Sequence, residues 1–159
     1  MFIIKKILCP TDFSLCSNHA FHFACALARD HGGSLVVLHV NPPIEAMGGE
    51  FGMLHGEAEK TRDQLLARLS EIRPIDPEIA IEYELITGDP VSRILAVAQA
   101  FGCDLIVMGT HGRTGLTHLL MGSVAERVMR RAPCPLLTVK TALPGAEPDG
   151  CQGGSANPT

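Results

Sequence analysis

Apolar residues fall along this chain in two rhythms: short continuous runs that suit buried strands, and three-to-four-residue spacings that suit helices. Phe2–Cys9 is dense in Ile and Leu and predicts a first strand. Pro10-Thr11-Asp12 breaks it. Ser14 or Ser17 can cap a helix reaching about Asp30, with Ala20, Phe23, Ala24, Leu27 and Ala28 on one face. His31-Gly32-Gly33 stops that helix, and Ser34–Val40 reads as a second strand, apolar on both faces except at His39. Asn41–Gly56 has no period and is long for a compact domain, a candidate lid. From Glu57 to Arg73, Ala58, Thr61, Leu65, Leu69 and Ile72 keep helical spacing. Ile79, Ile81, Tyr83 and Leu85 alternate with mostly polar neighbours, a third strand with one open face, as at a sheet edge. Asp89 and Pro90 supply a cap and a first helical position for a helix through Ala100, closed by Gly102. Leu105–Met108 is a fourth strand, Ser123–Arg131 a last helix and Pro135–Lys140 a short fifth strand.

Strands alternating with helices call for an α/β fold: a doubly wound, five-stranded parallel sheet with right-handed crossovers and helices on both faces. In such Rossmann-like sheets ligands sit beyond the carboxyl ends of the strands, where the winding reverses. The two strand ends with unusual residues are the first, at Pro10-Thr11-Asp12, and the fourth, from Gly109 onward. If those strands are neighbours, the order is 3-2-1-4-5 and the site lies between them. The last 18 residues hold four glycines and three prolines with few apolar positions, so the expected division is a folded domain over 1–141 and a disordered tail over 142–159.

Composition narrows the function classes. A chain of 159 residues with 46% hydrophobic content is long enough for one domain with a substantial core. Net charge is −4, with one Tyr and no Trp, and Lys5-Lys6 and Arg130-Arg131 are only pairs, which argues against nucleic acid as a partner. No apolar stretch approaches the roughly 18 residues of a membrane helix. The start carries its lysines inside the apolar run and no small-residue cleavage site, so it reads as a strand and not a signal peptide. Cysteines at 9, 16, 25, 103, 134 and 151 form no C-x-x-C pair, which suits small buried hydrophobes in a reducing, cytoplasmic compartment.

The chemistry concentrates after the fourth strand: Gly109-Thr-His-Gly112, nine residues, then Gly122-Ser123 opening a helix. A strand feeding a glycine-bearing loop that ends at a helix N-terminus aims backbone N–H groups at phosphate oxygens. Plainer readings stand beside this one. The glycines could serve turning alone, and Asp12 could cap the first helix with Ser14. His111 and His118 read as solvated loop histidines, His19 and His22 as structural, and His39 as a satisfied core histidine.

Taken together these segments resemble the universal stress protein family. The resemblance rests on Ile7-Leu-Cys-Pro-Thr-Asp-Phe-Ser14, Leu35–Val40, Gly88-Asp-Pro90, Asp104-Leu-Ile-Val-Met-Gly-Thr-His-Gly-Arg113, Gly122-Ser-Val-Ala-Glu-Arg-Val128 and Ala132-Pro-Cys-Pro135. It covers residues 2–140, and the family's G-x2-G-x9-G-[S/T] signature is complete. The resemblance implies an ATP site, or one for AMP or ADP, with Mg2+. Gly109, Gly112 and Gly122 would approach the phosphates through their backbone, with the Ser123 hydroxyl and the Ser123 and Val124 amides beside them. Pro10, Thr11 and Asp12 would line the adenosine, Val40 would meet the adenine edge through its backbone, and Met108 would contact the base or ribose side. His111 and Arg113 are less fixed in the family; Arg113 either pairs with a phosphate or stays a solvated charge. The fifth strand, Leu136 to Val139, would pair with its copy in a homodimer.

Three functions compete. The first is a nucleotide-binding stress-response module. The second is a slow ATPase or nucleotidyl-transferring enzyme, but no Walker A motif is present and no Lys follows Gly122. The third is a flavin or other electron-transfer domain, against which the near absence of Tyr and Trp argues. Binding is favoured, with no residue assigned to catalysis.

Overall fold

The computed structural model describes residues 3–43, 55–110 and 121–140, those of 55–59 by their backbone. In chain order the elements are β1 (Lys6–Pro10), α1 (Leu15–His31), β2 (Ser34–Asn41), α2 (His55–Glu71), β3 (Ile81–Thr87), α3 (Pro90–Ala100), β4 (Leu105–Gly109), α4 (Ser123–Arg131) and β5 (Leu136–Val139). The five strands form one parallel sheet in the order β3-β2-β1-β4-β5, as the motif placement requires. Ile7 sits between Leu35 of β2 and Leu105 of β4, so the reversal of winding falls between β1 and β4.

Alternation along the strands sorts the core into two layers. Ile7, Cys9, Leu35, Val37 and Val107 turn toward α1 and α2, where Ala20, Phe21, Ala24, Ala28 and Leu69 meet them. Leu8, Val36, Leu38, Ile106 and Met108 turn the other way, onto Val91, Ile94, Val97, Ala98, Ala125 and Val128 of α3 and α4. Helices on both faces explain why β1, β2 and β4 read as unbroken apolar runs. The carboxylate of Asp104 ties the lower end of the sheet together, accepting the Lys5 and Lys6 amides at 2.8 and 2.9 Å. Those two N–H bonds hold its carboxyl below the usual carboxylate range.

Local signals explain the element ends. Ser14 caps α1 by accepting the Ser17 amide, and Gly32 closes it with φ 64. Asp89 caps α3 with Pro90 at its first position. Bonds from the Ser92 amide and hydroxyl to Asp89 keep that carboxyl ionised at lower pH than a free one.

Several expectations need correction. Phe23 does not face the core: it is 51% exposed, and Phe21 fills the inward position at 4%. The inward face of α1 begins one turn earlier, at Cys16 and Ser17, which rotates the buried stripe away from Phe23. Histidines 19 and 22 are exposed on the same helix, His22 with its ring 5.8 Å from that of Phe21. β1 runs on to Pro10, whose missing amide costs nothing at a strand end, and β3 starts two residues late, at Ile81. The helix expected from Glu57 already begins at His55, which shortens the candidate lid; its remainder over 44–54, and the tail over 142–159 with Cys151, lie outside the described residues.

The described cysteines bear out their reading as packing groups. Cys9 is fully buried, and burial drives its thiol pKa far upward; burial likewise raises Cys25 and Cys103 to about 11. All five described cysteines are free thiols. Among the described residues no helix is long and apolar enough to cross a membrane.

Candidate functional site

The carboxyl ends of β1 and β4 lie side by side, and each opens into a polar segment. At β1, Pro10 and Thr11 are buried and Asp12 is half-buried. The Thr11 amide still follows the sheet, donating to the Leu38 carbonyl at 2.8 Å. Beyond it the chain turns. Asp12 Oδ1 accepts the Ser14 amide at 3.1 Å, and Thr11 Oγ1 accepts the Phe13 amide at 3.1 Å. Ser14, not Asp12, caps α1; the Asp12 carboxylate braces the turn that leads into the helix.

Phe13 within that turn has φ 62, a left-handed conformation that costs a residue with a Cβ about 1–2 kcal/mol. Among the described residues it is the sole non-glycine with positive φ. Its ring is gripped by two others: the His39 ring at 4.4 Å and the Arg68 guanidinium at 4.2 Å from its centroid. His39 is the satisfied core histidine that the sequence suggests, 6% exposed with Nδ1 2.8 Å from the Thr11 carbonyl. A carbonyl only accepts, so Nδ1 carries the proton in that bond.

At β4 the geometry is set by Thr110 and Gly122. The Thr110 amide donates to Val139 of β5 at 3.0 Å, and its carbonyl accepts the Gly122 amide at 2.6 Å. That single bond brings the start of α4 to the end of β4. Gly122 is the N-cap of α4, with extended backbone (φ −71, ψ 154), and has no side chain to accept first-turn amides. Ser123 is exposed at the first helical position and Val124 half-buried at the second. Their N–H groups carry the positive end of the α4 dipole. An anion seated there meets several aligned donors.

Not every expected residue faces this crevice in the same way. The Met108 side chain is 7% exposed and belongs to the core layer that also takes in Val40, Met121 and Val124, so its side chain packs α4. Gly109 owes its lack of a side chain to packing: a Cβ there would lie 2.8 Å from Cys16 Sγ and 3.1 Å from the Cys16 carbonyl carbon. β4 and α1 approach closely at that point. His111, Gly112 and Arg113 lie outside the described residues, as does His118. Sequence reasoning passed over Phe13 and Arg68 and saw Ser17 only as a possible cap. A run of Thr-Asp-Phe-Ser-x-x-Ser at a strand end was the available signal for the hydroxyls. Arg68, 55 positions further along, left none.

Comparison with known proteins places this geometry. Residues 4–140 match the universal stress protein family. Universal stress protein MJ0531 of Methanocaldococcus jannaschii is 34% identical over 144 residues, spanning 87% of this chain and 83% of the relative. The structure of the MJ0577 protein superposes with a TM-score of 0.72 at 28% identity, over 89% of this chain and 99% of that one. A more distant universal stress protein from Archaeoglobus fulgidus, solved in complex with dAMP, shares the fold at 22% identity and a TM-score of 0.59, over 88% of this chain and all of its own.

Proposed function

The chain belongs to the universal stress protein family, and on that premise we propose that it is an adenine-nucleotide-binding stress-response module, taking ATP, or AMP or ADP, with Mg2+. The observation that carries this reading is the 2.6 Å bond from the Gly122 amide to the Thr110 carbonyl, which seats a helix start without a side-chain cap against the strand end next to Asp12. A nucleotide has the matching polarity. Its phosphates suit the α4 amides and the Ser123 hydroxyl, and its ribose hydroxyls suit the Asp12 carboxylate as donors. Gly112, Arg113 and His111 complete the phosphate side of the proposed set; Pro10, Thr11, Val40 and Met108 complete the nucleoside side, Val40 meeting the adenine edge through its backbone. That a protein of this fold was solved with dAMP supports the nucleoside half of the reading.

The test is mass spectrometry of ligand released from the purified protein, with calorimetry against ATP, ADP and AMP. An adenylate released intact and rebound supports the module. No heat with any adenylate, on folded protein, ends the reading. Steady accumulation of ADP from ATP and Mg2+ would instead establish the slow ATPase.

A homodimer through β5 is part of the same proposal. The Ile106 amide bonds the Pro135 carbonyl and the Thr110 amide the Val139 carbonyl, so the odd-numbered residues of β5 face β4. The backbone groups of Leu136 and Thr138 therefore point to the open edge of the sheet. Leu137 and Val139 pack toward α1, so charging them would also disturb the core. Thr138→Pro is the cleaner variant: it removes an outward N–H and leaves the β4 bonds in place. Light scattering should show the dimer giving way to monomer with little loss of thermal stability; an unchanged dimer would place the interface elsewhere.

A further inference from the structure

Ser17 lies in the first turn of α1, is 4% exposed and is set behind the loop that carries Asp12. Its hydroxyl has one proton, and the Ser14 carbonyl at 2.9 Å can only accept it. The Thr11 hydroxyl, 3.1 Å from Ser17 Oγ, must then be the donor of that pair. With its proton directed there, Thr11 Oγ1 presents a lone pair to the Phe13 amide at 3.1 Å. The bonds form one directed chain, from Phe13 N–H to Thr11 Oγ1, from Thr11 O–H to Ser17 Oγ, and from Ser17 O–H to the Ser14 carbonyl. It begins at the amide of the residue held at φ 62 and ends on the carbonyl of Ser14, the cap of α1. The Ser14 hydroxyl adds a longer contact of 3.4 Å to Ser17 Oγ and accepts the Ser17 amide at 3.2 Å.

A buried chain of hydroxyls with every proton assigned is a rigid support, because rotating any member strands a donor or acceptor away from water. Here it supports a backbone conformation that an aromatic residue avoids. The Arg68 guanidinium over its ring and the tilted His39 ring beside it hold the side chain of the same residue. Asp12 sits between Thr11 and Phe13, so its placement follows from theirs. We propose that Ser17 is a positioning residue for the ligand site: acting through the Thr11 hydroxyl, it keeps Phe13 left-handed and so fixes the turn that presents Asp12. The consequence for nucleotide affinity rests on the proposed function; the control of the turn does not.

A double-mutant cycle of Ser17→Ala and Phe13→Gly tests this, read by amide exchange at positions 13 and 14 and by ATP calorimetry. Glycine adopts φ 62 without strain, so in its background the chain has nothing left to restrain. Ser17→Ala alone should speed exchange at both positions about tenfold and weaken ATP about tenfold, the scale of one lost buried hydrogen bond. In the Phe13→Gly background the same change should alter either readout less than about twofold. Equal effects in both backgrounds, or faster exchange spread along α1 with positions 13 and 14 no worse than the rest, would reduce Ser17 to a packing residue and overturn the proposal. If Ser17→Ala fails to fold, Thr11→Val and Thr11→Ser decide: Val, isosteric but without the hydroxyl, should loosen positions 13 and 14, and Ser should restore parental exchange. A protein that binds no ATP but shows the exchange pattern would sink the nucleotide reading and leave the turn assignment standing.

Discussion

Gly109→Ala is expected to destabilise the fold by about 2 kcal/mol, the range for forcing a methyl group into a filled core. The new Cβ would arrive 2.8 Å from Cys16 Sγ, 3.2 Å from Cys16 Cβ and 3.1 Å from the Cys16 carbonyl carbon. The sulfur is poorly placed to yield, since it lies 3.3 Å from the Val139 carbonyl that it bonds. The carbonyl carbon belongs to the backbone of the first turn of α1, so relieving that contact means moving the helix off the sheet. Cys16→Ala in the same protein should recover part of the loss, because it removes the sulfur contact and leaves the backbone one. Urea denaturation reads the effect as a lower midpoint at constant slope. ATP affinity should fall only as far as the displaced α1 drags the Asp12 turn with it. A midpoint equal to the parent's, with affinity lost, would return Gly109 to the ligand and away from packing.

That division between packing and binding also marks what the sequence could and could not convey. Two local facts pointed to the sheet order once β1 and β4 were taken as neighbours: continuous apolar runs demand cover on both faces, and the chemically unusual strand ends were those of β1 and β4. Ser14, Gly32, Asp89 and Pro90 act within a few residues of their own positions, so their roles were legible from spacing alone. The position of Phe23 was not, because a helix rich in alanine offers two nearly equivalent apolar faces, and the choice depends on where Cys16 meets β4. Gly109 looked like a loop glycine because the atom that needs its space is 93 residues away. The same holds for Arg68 over Phe13. Glycine motifs name a backbone requirement; they do not say whether a ligand or a neighbouring helix imposes it.

Gly122 opens α4 without a side-chain cap, and Gly122→Asp separates the proposed ligand explanation from a purely structural one by sign. Its backbone is extended, a conformation that any residue adopts without strain. An aspartate at this N-cap would accept a first-turn amide of α4 and place negative charge at the positive end of the helix, raising stability by roughly 0.3–1 kcal/mol. The same carboxylate would occupy the seat proposed for a phosphate and repel what approaches it. ATP affinity should fall at least about 100-fold, or roughly 2.7 kcal/mol. Gly122→Asn caps with similar geometry but without charge, so it should stabilise less and bind with intermediate affinity. Thermal denaturation in the absence of nucleotide, paired with calorimetry in its presence, gives both readouts on the same samples. Leaving α4 without a side-chain cap forgoes stability available from one substitution, and the proposed anion would supply the missing acceptor. Undiminished ATP binding by the more stable aspartate variant would show that the start of α4 is not where the phosphates rest.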